Sequence, residues 1–335
     1  MASSPNQRVK LLHLQKILLE KTDENNPISV PEIIIELKKR AIHAERKAIY
    51  TDIEILRNNG LDIEVQKGRV PRYFIENRQF ELPELKLLVD AVQSSRFITE
   101  KKSADLIAKL SSLTSQSQAV DLKRKIFVAD RPKSFNEQSF YSVDAIHTAV
   151  NAEKKITFKY FDYNVEKKRV FRKKGALYEV TPITLCWDSD KYYLIAYNAE
   201  HDELRNYRVD RMSKVTISEA DGNDYDRSKF NASEHIKGMF GMYGGEVIRT
   251  TLSFENSFVN VVLDYFGKEI NITPKDNGIF EITADITVSP VFFGWIFQFC
   301  GKAKILSPNS LADSMREMIA ENAALYNEVS GTKDT

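Results

Sequence analysis

Arg205, Arg208 and Arg211 stand at three-residue steps in the string LRNYRVDRM. A guanidinium is a planar fork that can grip a phosphate with two parallel hydrogen bonds. Strand alternation over LRNYRV puts Arg205 and Tyr207 on one face and Asn206 and Arg208 on the other, and either face can meet an anion. Tyr160 and Tyr193 add aromatic rings of the kind that stack a nucleobase. A plainer reading pairs Arg208 with Asp210 or another acid, and places Tyr192, Tyr193 and Leu194 in a strand core. Just upstream, the stretch from Ala152 to Gly175 holds nine Lys/Arg against Glu153, Asp162 and Glu166. That excess suits an anionic ligand, although lysines on a solvated strand edge would look the same.

A second set lies near the N-terminus. Arg46, Lys47, Tyr50, Thr51 and Glu54 project from one side of a helical pattern whose other side carries Ile49, Ile53 and Leu56. Such a helix fits the major groove, where Arg46 and Lys47 reach base edges or phosphates and Tyr50 and Thr51 contact phosphates or a thymine methyl. Arg69 and Arg72, in the hairpin that follows, are placed to track the neighbouring backbone. The same face would also serve as the solvated half of an amphipathic helix. Asp52 reads as a structural partner within its domain.

Catalytic patterns are missing. The five histidines (His13, His43, His147, His201, His235) fall in unrelated segments, and neither GxSxG nor HExxH occurs. Cys186 and Cys300 stand alone, which argues against a zinc site or a disulfide framework. The glycines of GMFGMYGGE lack the G-K-[ST] of a phosphate loop and predict a mobile joint within Asp221 to Gly245. No enzyme activity and no cofactor are expected.

The elements that must position these residues follow from periodicity. Helices are predicted over Gln7 to Lys21, Val30 to Arg40 (Ile33, Ile34 and Leu37 inward) and Ala44 to Asn58. Strands at Leu61 to Gln66 and Arg72 to Glu76 complete a hairpin. Three helices and a hairpin outline a winged helix-turn-helix, and a small protein-binding module would share that core. Two helical patterns within Leu82 to Leu113 form a connector that the polar stretch Ser111 to Gln118 should loosen or end. A helix at Ser142 to Asn151 leads into successive strands through Glu219, a small curved barrel or sandwich. The last hundred residues order as β-α-β-β-α-β-α, a ferredoxin-like sandwich.

At 335 residues the chain has room for two or three domains. With 42% hydrophobic and 28% charged residues it is an ordinary globular sequence rather than a disordered one. Its formal charge of +1 excludes a protein that coats nucleic acid indiscriminately. The distribution is uneven: residues 1–80 carry +3, residues 81–218 carry +5 and residues 219–335 carry −7. No apolar run approaches a membrane span and the N-terminus lacks a secretory core, so a cytoplasmic protein is expected, nucleoid-associated if the helical face at Arg46 to Glu54 binds DNA.

Particular strings carry a resemblance. AERKAIYTDIEILRNNGLDIEV closely resembles the recognition helix and first wing strand of bacterial winged-helix regulators that carry a WYL domain, with Thr51 where family members often have Arg. VTPITLCW, KYYLIAYN and RNYRVDRMSKV resemble the WYL domain itself, Tyr192-Tyr193-Leu194 occupying the name-giving Trp-Tyr-Leu. VVLDYFGKEI, FFGWIFQFCGKAKILSP and the terminal helix to Tyr326 are similar to the WYL-associated C-terminal extension. The resemblance implies a multidomain α+β protein. Its parts would be a winged helix-turn-helix (1–80), a helical connector (81–140), an Sm-like WYL β-barrel (141–220), a linker (221–247) and a ferredoxin-like C-terminal domain (248–330).

It further implies a transcriptional regulator of double-stranded promoter DNA whose barrel senses an anionic effector, a single-stranded nucleic acid or nucleotide. Tyr160, Tyr193, Arg205, Arg208 and Arg211 are the implied effector residues, and Arg46, Lys47, Tyr50, Thr51, Arg69 and Arg72 the DNA-binding ones. A homodimer is expected, since one winged helix usually contacts a half-site. The alternative is an adaptor whose barrel binds a protein partner or dimerises.

Overall fold

Two units divide the chain, residues 1–137 and 138–335. A computed structural model describes residues 5–122, 133–236 and 238–329.

In the first unit, α1 (Pro5–Lys21), α2 (Val30–Lys39) and α3 (Arg46–Asn58) pack their apolar stripes together. Leu14, Ile17 and Leu18, then Ile33 and Leu37, then Ile49 and Ile53 recur at three- and four-residue steps, which bring them onto single helix faces, and all are buried in one core. Pro31 sits in the first turn of α2, and the Glu32 carboxylate accepts from the Ser29 backbone N–H at 2.8 Å and from its hydroxyl at 2.6 Å, which fixes where that helix starts. The hairpin β2 (Ile63–Gln66) and β3 (Arg72–Ile75) lays Tyr73 and Ile75 on the same core. A two-residue strand, β1 (Ile28–Ser29), pairs with β3 and gives the sheet order β1-β3-β2.

The connector comprises α4 (Leu82–Ser94), α5 (Glu100–Ser111) and α6 (Gln116–Leu122). The expected loosening at Ser111 to Gln118 does not occur. Thr114 and Ser115 are buried, and the Ser115 hydroxyl donates to the buried Asp23 carboxylate while accepting the Gln118 N–H at 3.1 Å. Polarity there is a capping and cross-linking device. The part of the connector at 123–132 lies outside the described residues.

In the second unit α7 (Gln138–Asn151) begins four residues before its expected start and packs on β4 (Lys154–Tyr163), β6 (Tyr178–Asp188) and β9 (Met212–Asp221). With β5 (Arg169–Phe171), β7 (Lys191–Asn198) and β8 (Glu203–Arg208) these form a six-stranded antiparallel sheet in the order β5-β4-β6-β7-β8, β9 also pairing with β4. Register shifts interrupt the β4–β9 and β6–β7 ladders, and such bulges bend strands and curl the sheet. Phe158, Phe161, Leu194, Ile195 and Val209 are sealed inside.

After α8 (Ala232–Ile236) come β10 (Val247–Glu255), α9 (Val259–Phe266), β11 (Ile272–Lys275), β12 (Ile279–Thr287), α10 (Pro290–Phe297), β13 (Ala303–Ser307) and α11 (Asn309–Val329). The strands pair antiparallel in the order β11-β12-β10-β13. Leu252, Phe254, Phe280, Ile282, Phe292 and Ile296 fill the core between sheet and helices. No helix among the described residues is long and apolar enough to cross a membrane.

Candidate functional site

On α3 the buried Ile49, Ile53 and Leu56 leave Arg46, Lys47, Thr51 and Glu54 on the exposed side. Tyr50 is half-buried. Its hydroxyl accepts from Arg46 Nε at 3.1 Å, and the Arg46 guanidinium stands 5.7 Å from its ring centroid. The Thr51 hydroxyl donates to the Lys47 carbonyl at 3.3 Å. Asp52 pairs with Lys10 at 2.7 Å, the structural role expected of it. Arg57 ties α3 to the hairpin by donating to the Ile63 carbonyl through Nε at 2.9 Å and Nη2 at 2.6 Å. Arg69 is exposed on the hairpin turn. Arg72 does not project freely from the wing: it donates to the Pro27 carbonyl at 2.8 Å and to Glu32 at 3.0 Å, holding β3 against the start of α2.

The second unit contains a cavity of about 750 Å³ that gathers Tyr160, Tyr193, Arg205, Arg208 and Arg211. They arrive from β4, β7, β8 and the turn before β9. The expected split of β8 into two faces does not separate its residues, since Arg205, Asn206, Tyr207 and Arg208 all line the cavity. β8 ends the strand order, and the cavity wraps its edge.

Each guanidinium is held by a carboxylate. Arg208 binds Asp210 through Nε at 3.1 Å and Nη2 at 2.7 Å, and Arg205 binds Glu203. Arg172 and Arg211 share Asp162, Arg172 Nε at 2.6 Å and Arg211 at 3.7 Å. The Arg172 hydrogen bond, against the cost of burial, holds the Asp162 carboxyl below its ordinary range. Burial opposes the charge on Arg208, but the Asp210 hydrogen bond and charge leave its pKa raised. Asp210 takes two of the five guanidinium donors, so Arg208 is oriented by its partner and keeps donors to offer an anion. Four guanidiniums against the carboxylates of Asp162, Glu203 and Asp210 keep the site cationic.

Two expectations need correction. Tyr160 and Tyr193 are not exposed platforms, being 8% and 7% exposed. The Tyr160 hydroxyl accepts the Arg208 backbone N–H at 3.1 Å, its ring is covered by the Arg172 guanidinium at 5.2 Å, and burial pushes the pKa of both phenols up. A core-facing strand position and an open aromatic face are incompatible demands on one side chain. The basic stretch, likewise, is largely neutralised in place: Lys154 pairs with Asp221 at 2.6 Å, Lys155 with Asp224 at 2.7 Å, Lys168 with Glu166 at 2.7 Å and Lys173 with Glu200 at 2.8 Å. Of its nine cations Arg172 alone lines the cavity.

The sequence reading did not single out Arg172, Tyr178, Tyr207, His235 or the segment Met239 to Gly245 as lining the cavity. His235 Nε2 lies 3.2 Å from the Asn206 side-chain oxygen, and burial lowers its pKa. The Asn206 amide donates to the Met242 carbonyl at 3.1 Å. The segment, expected to belong to a mobile joint, is anchored at both ends. Thr287 N–H donates to the Gly238 carbonyl at 3.0 Å, Val288 N–H to the Glu246 carbonyl at 2.9 Å, and the Tyr265 hydroxyl to the Met239 carbonyl at 2.9 Å. A Cβ at Gly238 would come within 2.0 Å of the Asp285 carbonyl oxygen and one at Gly245 within 2.1 Å of that of Val288, so these glycines permit close backbone approach. The apolar residues spaced through GMFGMYGGE were the available signal.

Among the described residues one carboxylate group could share a cation, Asp62, Glu64 and Glu76 beside the β2–β3 hairpin, and exposed acids are common there without one.

Residues 142–217 match the family model of the WYL domain and residues 246–323 that of the WCX domain. No curated protein matches the sequence. Among solved structures, the chain is similar to proteasome accessory factor B/C (PafBC) of Arthrobacter aurescens, with 17% identity and a TM-score of 0.30 over 94% of this chain and 47% of that one. It thus spans about half the length of that protein. It is also similar to a CRISPR Cas-related protein, with 16% identity and a TM-score of 0.36 over 96% of this chain and 85% of that one.

Proposed function

We propose that this chain is a DNA-binding transcriptional regulator whose second unit senses an anionic effector, a single-stranded nucleic acid or nucleotide. The observation that carries the reading is the convergence of Arg172, Arg205, Arg208 and Arg211 on one cavity of about 750 Å³, a size suited to a small ligand. The first unit is read as a winged helix-turn-helix: α3 enters the major groove with Arg46, Lys47, Tyr50 and Thr51, and Arg69 on the wing meets a phosphate. The curled sheet is read as an Sm-like barrel, and the β11-β12-β10-β13 sheet with α9 and α10 as a ferredoxin-like domain. The working form is a homodimer, and the protein is a binder rather than an enzyme.

The test is titration of the full chain with a 5′-phosphorylated tetrathymidylate. The expected result is saturable binding that Arg208→Ala, carried with Asp210→Asn so that no carboxylate is stranded, weakens about 10-fold or more. Unaltered binding in that variant would place the ligand elsewhere. If instead the chain ignores the oligonucleotide and only a second copy or a protein occupies the cavity, the barrel is an adaptor.

A further inference from the structure

Four of the five tyrosines lining the cavity have no ring face to offer. Tyr178 is stacked on Phe158 at 5.4 Å with 9° between planes, and Lys173 Nζ stands 4.9 Å from its centroid. Tyr160 carries the Arg172 guanidinium. Tyr207 meets Phe158, Tyr160 and Tyr178 edge to face at 5.3 to 6.0 Å. Tyr193 packs in a cluster with Ile195 and Met242. These rings are a scaffold, and each is less than a tenth exposed.

Tyr243 differs. It lines the same cavity and is 56% exposed. Its backbone is nonetheless fixed, because Phe240 and Met242 just before it are buried and its own N–H closes a turn onto the Phe240 carbonyl at 3.4 Å. On the other side Gly245 is seated against the Val288 carbonyl. An open ring on an ordered backbone, beside a cluster of guanidiniums, loses little freedom when a flat ligand settles on it.

We propose that Tyr243 is the base-stacking residue of the cavity, and that the ligand carries an unpaired base next to its phosphate and is not a bare polyanion. This rests on the effector reading above and sharpens it. The guanidiniums bind the phosphate, which any polyanion could supply; Tyr243 adds the requirement for an aromatic base. Stacking on a tyrosine tolerates any base, so the selectivity is for nucleic acid over polyphosphate rather than for sequence.

The experiment compares two probes on the full chain, a 5′-phosphorylated tetrathymidylate and an abasic tetramer with the same phosphates. Tyr243→Ala is expected to weaken tetrathymidylate binding about 5- to 150-fold, to leave abasic binding unchanged, and to leave the salt dependence of both as in the wild type. Tyr243→Trp is expected to restore tetrathymidylate binding. Equal affinity of the wild type for both probes overturns the assignment, as does an equal loss on both probes in Tyr243→Ala or no loss on either. A wild-type chain that binds neither probe removes the effector reading itself, an outcome distinct from wild-type binding that does not depend on Tyr243.

Discussion

Phe240 and Met242 stand two residues apart and are both buried, yet in different cores. Phe240 stacks on Tyr265 at 4.5 Å and packs against Phe292 and Trp295 among the C-terminal helices. Met242 joins Tyr193 and Ile195 of the curled sheet. Gly241 and Met242 between and at these anchors take φ of 63° and 59°, a left-handed turn that throws the two side chains apart. The cavity wall is therefore part of the covalent bridge between the two sheets of the second unit.

If the bridge is anchored this way, Phe240→Ala should cost about 3–5 kcal/mol and Met242→Ala about 2–5 kcal/mol. Urea unfolding followed through Trp295, which contacts Phe240, would report the first directly. An unchanged midpoint for Phe240→Ala would show that its ring is not a structural anchor.

The exposed face of α3 and the hairpin arginines should respond differently. Arg46→Ala with Lys47→Ala is expected to weaken duplex binding by about 1–3 kcal/mol per lost base contact, with stability within about 0.5 kcal/mol of wild type. Arg72→Ala, which removes the bonds to Pro27 and Glu32, should lower the melting temperature instead. Anisotropy with labelled duplex and a thermal scan separate the two; a swap of these effects would refute the placement of α3.

Asp162 bridges Arg172 and Arg211 and competes with an incoming phosphate. Asp162→Asn should strengthen tetrathymidylate binding and steepen its dependence on log salt by up to about 0.7, as one further cation becomes available. Because the folded pKa of Asp162 is depressed, its stabilising contribution is present above the unfolded carboxyl pKa and is lost as pH falls through the folded value. The Asn variant should therefore lose less stability than wild type on acidification, read as urea midpoint against pH.

His235 sets a separate pH window. Burial depresses its pKa from 6.5, so as pH falls the unfolded chain takes the proton first. The contribution is full above about 6.5 and is lost as pH drops through the folded value. His235→Gln should flatten that part of the urea-midpoint profile while leaving the plateau near pH 8 about level. An identical slope in wild type and variant would mean that burial does not hold the His235 imidazole neutral.

Periodicity made most helices legible, because burial on one face leaves a 3.6-residue record: Ile49, Ile53 and Leu56 mark α3 as plainly in the string as in the fold. Spacing also exposed the competing role of Arg208, whose partner Asp210 is two residues away. β1 was not legible, since two residues carry no alternation and their pairing is set by β3 from more than forty residues downstream. Ser115 and Asp23 show the same limit: a polar residue bonded across 92 positions looks locally like a loop residue. In the segment Met239 to Gly245, glycine content masked two core anchors, and which tyrosine keeps an open face depends on packing that no local pattern encodes.

The most direct measurement is the affinity of the full chain for a duplex selected from random sequence, taken with and without saturating 5′-phosphorylated tetrathymidylate. Linkage requires each ligand to change the affinity of the other by the same factor, and a working sensor should show about 5-fold or more. That change should vanish in Arg208→Ala with Asp210→Asn, while duplex binding itself persists. A duplex affinity that stays constant while tetrathymidylate occupies the cavity would contradict the account.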